Sequence, residues 1–357
     1  MNFNELKFIK QSFILELEKS IAGQKTSFPF IRHTLASNPI VKENETFQVI
    51  VIGGSFYQKA LMKKIGGNIR MISHMEGPQP QFLHKKVLFE FLEKHIDPHV
   101  KVIALNFAYP LHPATCQGKL DGTLVNGSKE NSFDGLVGRV VGESIEEYFQ
   151  QKHTRSLYVS CANDTICLLL SGLMYHPWNQ LSAGVVGTGL NFALFPDEHT
   201  VVNLESAEFD KFERSEAGKI IDESSVSPGS ALMEKEVSGA YLYHHFNIEA
   251  KKRGLLFDKI TSTKSIDDYA KSEDEQIARL AKEILQHSAS YVAIQVAGIL
   301  DFCKRDLTFI MQGSLFWKGY KYRETVENTV LKLSPKYKAI FEKIERSDLY
   351  GAAKLVG

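Results

Sequence analysis

Leu6, Ile9, Phe13, Leu17 and Ile21 recur at three- and four-residue steps, which predicts an amphipathic helix stopped by Gly23. Residues 47–52 then form an almost unbroken apolar run that enters Gly53-Gly54-Ser55, the pattern of a buried strand ending in a tight turn. Helical spacing returns over 82–96 through Phe82, Leu83, Val87, Phe91 and Leu92. Two more strands are predicted at 100–107, closed by Tyr109-Pro110, and at 120–125. A fourth, 157–161, ends at Asn163-Asp164-Thr165 and should feed a buried helix over 166–175.

The second half opens the same way. Residues 183–186 run into Gly187-Thr188-Gly189, and 190–195 form a return strand. Two weakly similar halves, each starting with an apolar strand delivered into a glycine-rich turn, predict a duplicated α/β architecture. From about residue 255 the pattern is helical except for a short strand at 307–311 before Gly313-Ser314. The helix over 277–300 becomes apolar all round from Tyr291, so its end should be buried.

Composition narrows the class. The 357 residues hold 42 Lys+Arg against 42 Asp+Glu, and this zero net charge argues against a nucleic-acid partner. Residues 165–196 contain no Asp, Glu, Lys or Arg, but Pro177, Asn179, Gln180 and several glycines interrupt them, so they are not a membrane span. Cys116, Cys161, Cys167 and Cys303 have no metal-ligand spacing and read as reduced thiols. Together with a first segment that lacks the pattern of a signal peptide, they give an expected cytoplasmic location and no membrane partner.

Three small-residue turns follow apolar strands: Gly53-Gly54-Ser55, Gly187-Thr188-Gly189 and Gly313-Ser314. Glycine lets backbone N–H groups approach an anion and hydroxyls add donors, so phosphate binding is expected there. None matches the P-loop or the dinucleotide fingerprint. Asp164 sits between an apolar strand and the long uncharged segment, where a carboxylate is costly unless hydrogen-bonded or used. It is either a helix cap or a working acid, and both readings stay open. Glu205 and Glu234 are further acids beside apolar residues. His112, His244 and His245 read as surface residues rather than metal ligands, and Lys63-Lys64 and Lys85-Lys86 as solvated helix charges. No metal site is expected.

Asn106-Phe-Ala-Tyr-Pro110, Asn163-Asp-Thr165, Gly187-Thr-Gly-Leu-Asn191, Asn203-Leu-Glu205 and the block 233–242 resemble, in order and spacing, the hexokinases of the actin-like ATPase superfamily. The resemblance covers nearly the whole chain. It implies an α/β fold of two ribonuclease-H-like lobes with an interlobe cleft: a small lobe of 47–163 plus 347–357 and a large lobe of 1–46 plus 164–346. It further implies ATP with Mg²⁺ as phosphoryl donor and a hexose, glucose first, as acceptor. Asp164 would be the general base at the sugar 6-hydroxyl, and Asn163, Asn191, Glu205 and Glu234 would hold other hydroxyls. Gly53, Gly54, Ser55, Gly187, Thr188, Gly189, Gly313 and Ser314 would line the nucleotide.

The departures from the family pattern are specific. Val51 stands where the family has the Asp of Asp-Leu-Gly-Gly-Thr, and Ala108 replaces a sugar-contacting Ser. Val125 and Asn126 replace a Thr and a Lys, Ala231 a Gln, and Gln312 an Asp. The rival readings are a sugar sensor that has lost most phosphoryl transfer, and a kinase for another sugar such as an amino sugar or a ketohexose.

Overall fold

The computed structural model describes residues 2–36, 38–116, 118–127 and 130–357. In chain order its strands are β1 (Ile31–Thr34), β2 (Thr46–Ile52), β3 (Phe56–Ile65), β4 (Asn68–Pro78), β5 (Val102–Phe107), β6 (Leu111–Cys116) and β7 (Lys119–Leu124). They continue with β8 (Tyr158–Ala162), β9 (Leu181–Val186), β10 (Leu190–Asp197), β11 (Thr200–Asn203), β12 (Leu307–Gln312) and β13 (Ala339–Glu342). The helices begin with α1 (Phe3–Ile21), α2 (Lys85–His95), α3 (Val141–His153), α4 (Asp164–Ser171), α5 (Glu216–Glu223) and α6 (Leu232–Val237). After these come α7 (Leu242–Lys252), α8 (Lys264–Tyr269), α9 (Glu275–Cys303), α10 (Ser314–Lys318), α11 (Tyr322–Leu333) and α12 (Ser347–Ala353).

Two sheets share one plan. In the order β4-β3-β2-β5-β8, the antiparallel ribbon of β2, β3 and β4 is extended by β5 and β8, both parallel to β2. In the order β1-β11-β10-β9-β12-β13, the strands β9 to β11 are followed by the parallel pair β12 and β13. This is the duplicated α/β architecture that the repeated strand–turn pattern predicts, and the two-lobe plan that the family resemblance implies. The chain divides into two compact units. The first holds Met1–Phe30, Ser182–Phe192 and Leu204–Lys343, and the second Ile31–Leu181, Ala193–Asn203 and Ile344–Gly357.

In the second unit, β2 and β5 are central strands buried on both faces, which is why their sequences run apolar without alternation. Ile50, Ile52 and Leu105 pack one face against Phe91 and Leu92 of α2 and Ile145 and Phe149 of α3. The other face meets α12, which touches both β2 and β5. β3 and β4 were not legible as strands. Their register shifts between Leu61 and Met62 and breaks the polar–apolar alternation, so Lys63 and Lys64 lie on β3 and not on a helix. Gly66 and Gly67, at φ +59° and +74°, make the turn that joins the two strands.

In the first unit, Asn2 closes a capping box with Glu5 at the start of α1. The stretch of α9 from Tyr291 to Leu300 is buried at every position, as the sequence predicts. Gly298 permits the closest approach of α1: a Cβ there would lie 2.6 Å from Phe13 Cδ1. No helix among the described residues is long and apolar enough to cross a membrane. Cys161, Cys167 and Cys303 are free thiols, while the Cys116 side chain lies outside the described residues.

One buried titratable group gives the fold a pH signature. His33 on β1 is 3% exposed, and burial, helped by His112, lowers its pKa to about 4. The folded state therefore holds it neutral while the unfolded chain binds a proton below about 6.5. Its contribution is complete above pH 6.5 and is lost as pH falls toward 4, by up to about 3 kcal/mol. Asp121, raised to about 6 chiefly by burial, acts in the opposite sense over an overlapping range. Urea unfolding should therefore show His33→Asn gaining stability relative to wild type as pH falls from 6.5 to 4.5; a difference between the two that does not change with pH would exclude His33.

Candidate functional site

Within the first unit, three turns stack backbone on backbone. Gly187 N–H donates to Gly189 O at 3.0 Å, closing the turn after β9. Gly239 N–H donates to Gly187 O at 2.7 Å, and Ala240 N–H to Thr188 O at 3.3 Å. A Cβ on Gly187 would lie 3.1 Å from Gly313 Cα, and one on Gly239 would lie 2.9 Å from Gly187 O. Gly313, at φ +113°, could not carry a Cβ without overlapping Val186 O. Glycine at 313 is thus required by packing, before any ligand is considered, and a Cβ at 187 or 239 would press on neighbouring backbone. Thr188 and Ser314 present their side chains on the exposed side of this stack.

The acids of this unit are joined to the same turns. Glu234 lies in the first turn of α6 and its Oε2 accepts from Leu190 N–H at 2.9 Å. The carboxylate crosses Gly189, where a Cβ would sit 2.9 Å from Oε2. Burial pushes the Glu234 carboxyl above the usual range against the Leu190 amide, and the charge of Glu208 adds to the rise. Asn191 Oδ1 accepts from Phe192 N–H at 2.8 Å and from Ser206 N–H at 3.3 Å. Glu205 has φ +50° and ψ +46°, a left-handed conformation that costs a non-glycine residue roughly 1–2 kcal/mol. Ala231, at φ +49°, donates its N–H to Glu208 Oε2 at 2.8 Å. The structure therefore brings Asn191, Glu205, Glu234 and the Gly187–Gly189 turn into one hydrogen-bonded neighbourhood.

In the second unit, Asn163 and Asp164 divide two tasks at the start of α4. Asn163 Oδ1 caps the helix by accepting from Ile166 N–H at 3.0 Å. Asp164 Oδ1 accepts from Thr165 N–H at 2.8 Å and more weakly from Thr165 Oγ1 at 3.4 Å. No described residue donates to Asp164 Oδ2. Asn163, not Asp164, is the helix cap, which removes one of the two sequence readings of Asp164.

The turn Gly53-Gly54-Ser55 is clamped from behind. Gln79 Nε2 donates to Gly53 O at 2.7 Å and Gly54 O at 3.3 Å, and Tyr109 OH donates to Gly53 O at 2.6 Å. Asn131 Nδ2 donates to Tyr109 OH at 3.0 Å, and burial pushes the Tyr109 hydroxyl up to about 12. A Cβ on Gly53 would meet only Phe56 O, at an ordinary 3.4 Å, so packing does not demand glycine there. Val51 is 8% exposed and pairs with Gln58 on β3 and Asn106 on β5. Gln58 Nε2 donates to the Asp348 carboxylate, and Asn106 Nδ2 to Asp348 O at 3.3 Å.

Sequence reasoning missed Gln79, Tyr109, Gly239 and Glu208. Only the short Ser238-Gly239-Ala240 stretch carried a readable small-residue signal. One surface assignment is corrected: His245 is 5% exposed, with Nε2 2.8 Å from Lys235 O, because α7 turns it onto α6. Its neighbour His244 is exposed. Lys235 itself is buried against Asp222, 2.6 Å away, and Asp222 also holds Arg214 at 2.6 Å.

No known family model matches the chain. It is 25% identical to a hexokinase of Schistosoma mansoni over 396 residues, covering 91% of this chain and 86% of that protein. It is 25% identical to Hexokinase-2 of Candida albicans over 274 residues, covering 67% of this chain and 56% of that protein. The chain spans little more than half the length of several curated relatives it matches, that one and two rice hexokinases among them. A solved Schistosoma mansoni hexokinase complexed with glucose superposes with a TM-score of 0.72 at 20% identity, over 100% of this chain and 95% of that one. A ROK hexokinase from Thermus thermophilus gives 0.57 at 15% identity, over 87% of this chain and 97% of that one. The chain is thus similar in sequence to hexokinases, and it shares the two-lobe α/β fold of solved hexokinases and ROK sugar kinases.

Proposed function

We propose that this protein is a cytoplasmic ATP-dependent sugar kinase that phosphorylates a hexose at its 6-hydroxyl, with glucose the first candidate. The observation that carries the reading is Asp164: a half-buried carboxylate at the first residue of α4, freed from capping by Asn163 and with Oδ2 unengaged among the described residues. A proton acceptor needs such a lone pair, and a purely structural acid would spend it. The solved relative bound to glucose supports a hexose as acceptor.

In this reading Asn191, Glu205 and Glu234 take sugar hydroxyls in donor–acceptor pairs. Asn163 adds its amide N–H group, since its carbonyl oxygen serves the helix. Thr188, Ser314 and Ser55, each exposed on a turn, offer hydroxyl donors to the phosphates alongside the adjacent backbone amides of Gly53, Gly54, Gly187, Gly189 and Gly313. Magnesium bound with ATP would neutralise phosphate charge and usually keeps several waters, so it needs few protein ligands. Val51 offers it none. The lobe division at 47–163 plus 347–357 is part of the same proposal.

A coupled assay with ATP, Mg²⁺ and a panel of hexoses tests the reading directly, with calorimetry on Glu205→Gln and Glu234→Gln. Charge-assisted hydrogen bonds contribute about 1.5–3 kcal/mol each, so either variant should bind the preferred sugar at least roughly 10-fold more weakly. Unchanged affinity in both would place the sugar elsewhere. The sensor reading rests on Val51, Val125 and Asn126, and it predicts sugar binding without turnover.

A further inference from the structure

Gln295 lies in the middle of the all-buried stretch of α9, between Ile294 and Val296, and is itself fully buried. A primary amide at such a position loses its hydration, a penalty that full hydrogen bonding would offset. Here it is offset only in part. Gln295 Nε2 donates to Ser206 O at 3.3 Å, while Oε1 is buried without a hydrogen-bond partner. By stability alone, an apolar side chain of the same shape would serve α9 as well or better.

What the amide gains is a hold on the backbone of Ser206. Ser206 O also accepts from Phe209 N–H at 3.2 Å, and Ser206 N–H donates to Asn191 Oδ1 at 3.3 Å. The residue before it is Glu205, in the left-handed conformation at φ +50° and ψ +46°. A strained residue of this kind persists only where its surroundings over-determine it. Ser206 is thus held on both sides: at its N–H, in the peptide that follows Glu205, by Asn191 of β10, and at its C=O, in the next peptide, by Gln295 of α9. Both residues that the reading above gives to sugar hydroxyls on this side, Asn191 and Glu205, are oriented through it.

We propose that Gln295 is a positioning residue for sugar recognition: it touches no substrate, and it holds Ser206, the residue between Glu205 and Ala207 that also bonds Asn191, so that Glu205 and Asn191 present their side chains together. This rests on the sugar-kinase reading. Loss of the Gln295 bond would let Glu205 relax toward an ordinary conformation and carry its carboxylate away from the sugar. Because Glu205 would bind the hydroxyls in ground state and transition state alike, the loss should fall on sugar affinity and leave kcat nearly intact.

The test uses Gln295→Met and Gln295→Leu in the full chain, with three readouts: thermal unfolding, sugar affinity by calorimetry, and steady-state kinetics in sugar and in ATP. The expected result is a Tm equal to or above wild type, sugar Kd and KM raised roughly 5- to 30-fold, and kcat and the ATP KM within about 2-fold. Glu205→Ala combined with Gln295→Met should be little weaker than Glu205→Ala alone, because Gln295 acts chiefly through the placement of the Glu205 carboxylate. Sugar affinity unchanged in both variants overturns the inference while leaving the kinase reading intact. A fall in Tm matched by equal losses in sugar and ATP parameters also overturns it, since that marks a core residue only. A wild type that binds no hexose and transfers no phosphate overturns the kinase reading, and this inference with it.

Discussion

Asp164→Asn is expected to lower kcat by roughly 10²–10⁴-fold while sugar affinity stays within a few fold. The amide has nearly the shape of the carboxylate, and its oxygen can still accept from Thr165 N–H, which lies 2.8 Å from Oδ1 in the native protein. The helix cap is untouched, because Ile166 N–H is held by Asn163. Folding should therefore be preserved, with Tm within a few degrees of wild type. What the amide cannot do is take a proton from a hydroxyl as it attacks the γ-phosphate. In the proposed reading, catalysis by Asp164 and sugar binding by Glu205 and Glu234 are thus separable in one substitution. A variant that keeps near wild-type kcat would remove Asp164 from the chemistry and leave the sugar-sensor reading as the stronger one.

Strands whose environment is uniform were the easiest to read. β2, β5, β8, β9 and β12 are buried over nearly their whole length, so burial writes itself as an apolar run. β3 and β4 escaped because a register shift and a half-exposed surface blur the alternation. β13 escaped for another reason: four residues, Ala339–Glu342, carry too little pattern to separate from the helices around them. At the candidate residues, backbone conformation was not legible. Nothing in the sequence marks Glu205 or Ala231 as left-handed, because that state is imposed by the bonds at Ser206 and Glu208. The support behind the Gly53 turn comes from Gln79, Tyr109 and Asn131, which are distant in sequence and meet only in the fold. Val51 also changes meaning. It lies enclosed between Gln58 and Asn106 on strands that bind Asp348, so restoring an acid at this position would place a second carboxylate in the same buried neighbourhood.

Gly351→Ala should destabilise the second unit by about 3 kcal/mol or more, at the upper end of what overpacking costs. A Cβ at this position would overlap Cys167 O and lie 2.5 Å from its carbonyl carbon and 3.1 Å from its Cα. All three atoms are backbone of α4, so no rotamer change can relieve the overlap; α12 must move away from α4 as a body. That movement also opens the contacts of α12 with β2 and β5. Gly254→Ala is the matched control. Its Cβ meets nothing within 4 Å, and its φ of +66° alone should cost only about 1 kcal/mol. For a folding unit of this size each kcal/mol lowers Tm by roughly 2–4 °C, so the two variants should separate clearly in a thermal melt. The effect should also reach the chemistry below the unfolding transition. α4 begins at Asp164, and a shift of its backbone near Cys167 displaces the carboxylate that the reading makes the proton acceptor. Misplacement of a catalytic group by about 1 Å can cost 100-fold, so kcat of Gly351→Ala should fall well beyond its loss of folded protein, while Gly254→Ala keeps both. A Tm for Gly351→Ala within about 2 °C of wild type would show that α12 and α4 are not held in contact by this glycine, and the orientation of Asp164 would then have to be fixed from β8 alone.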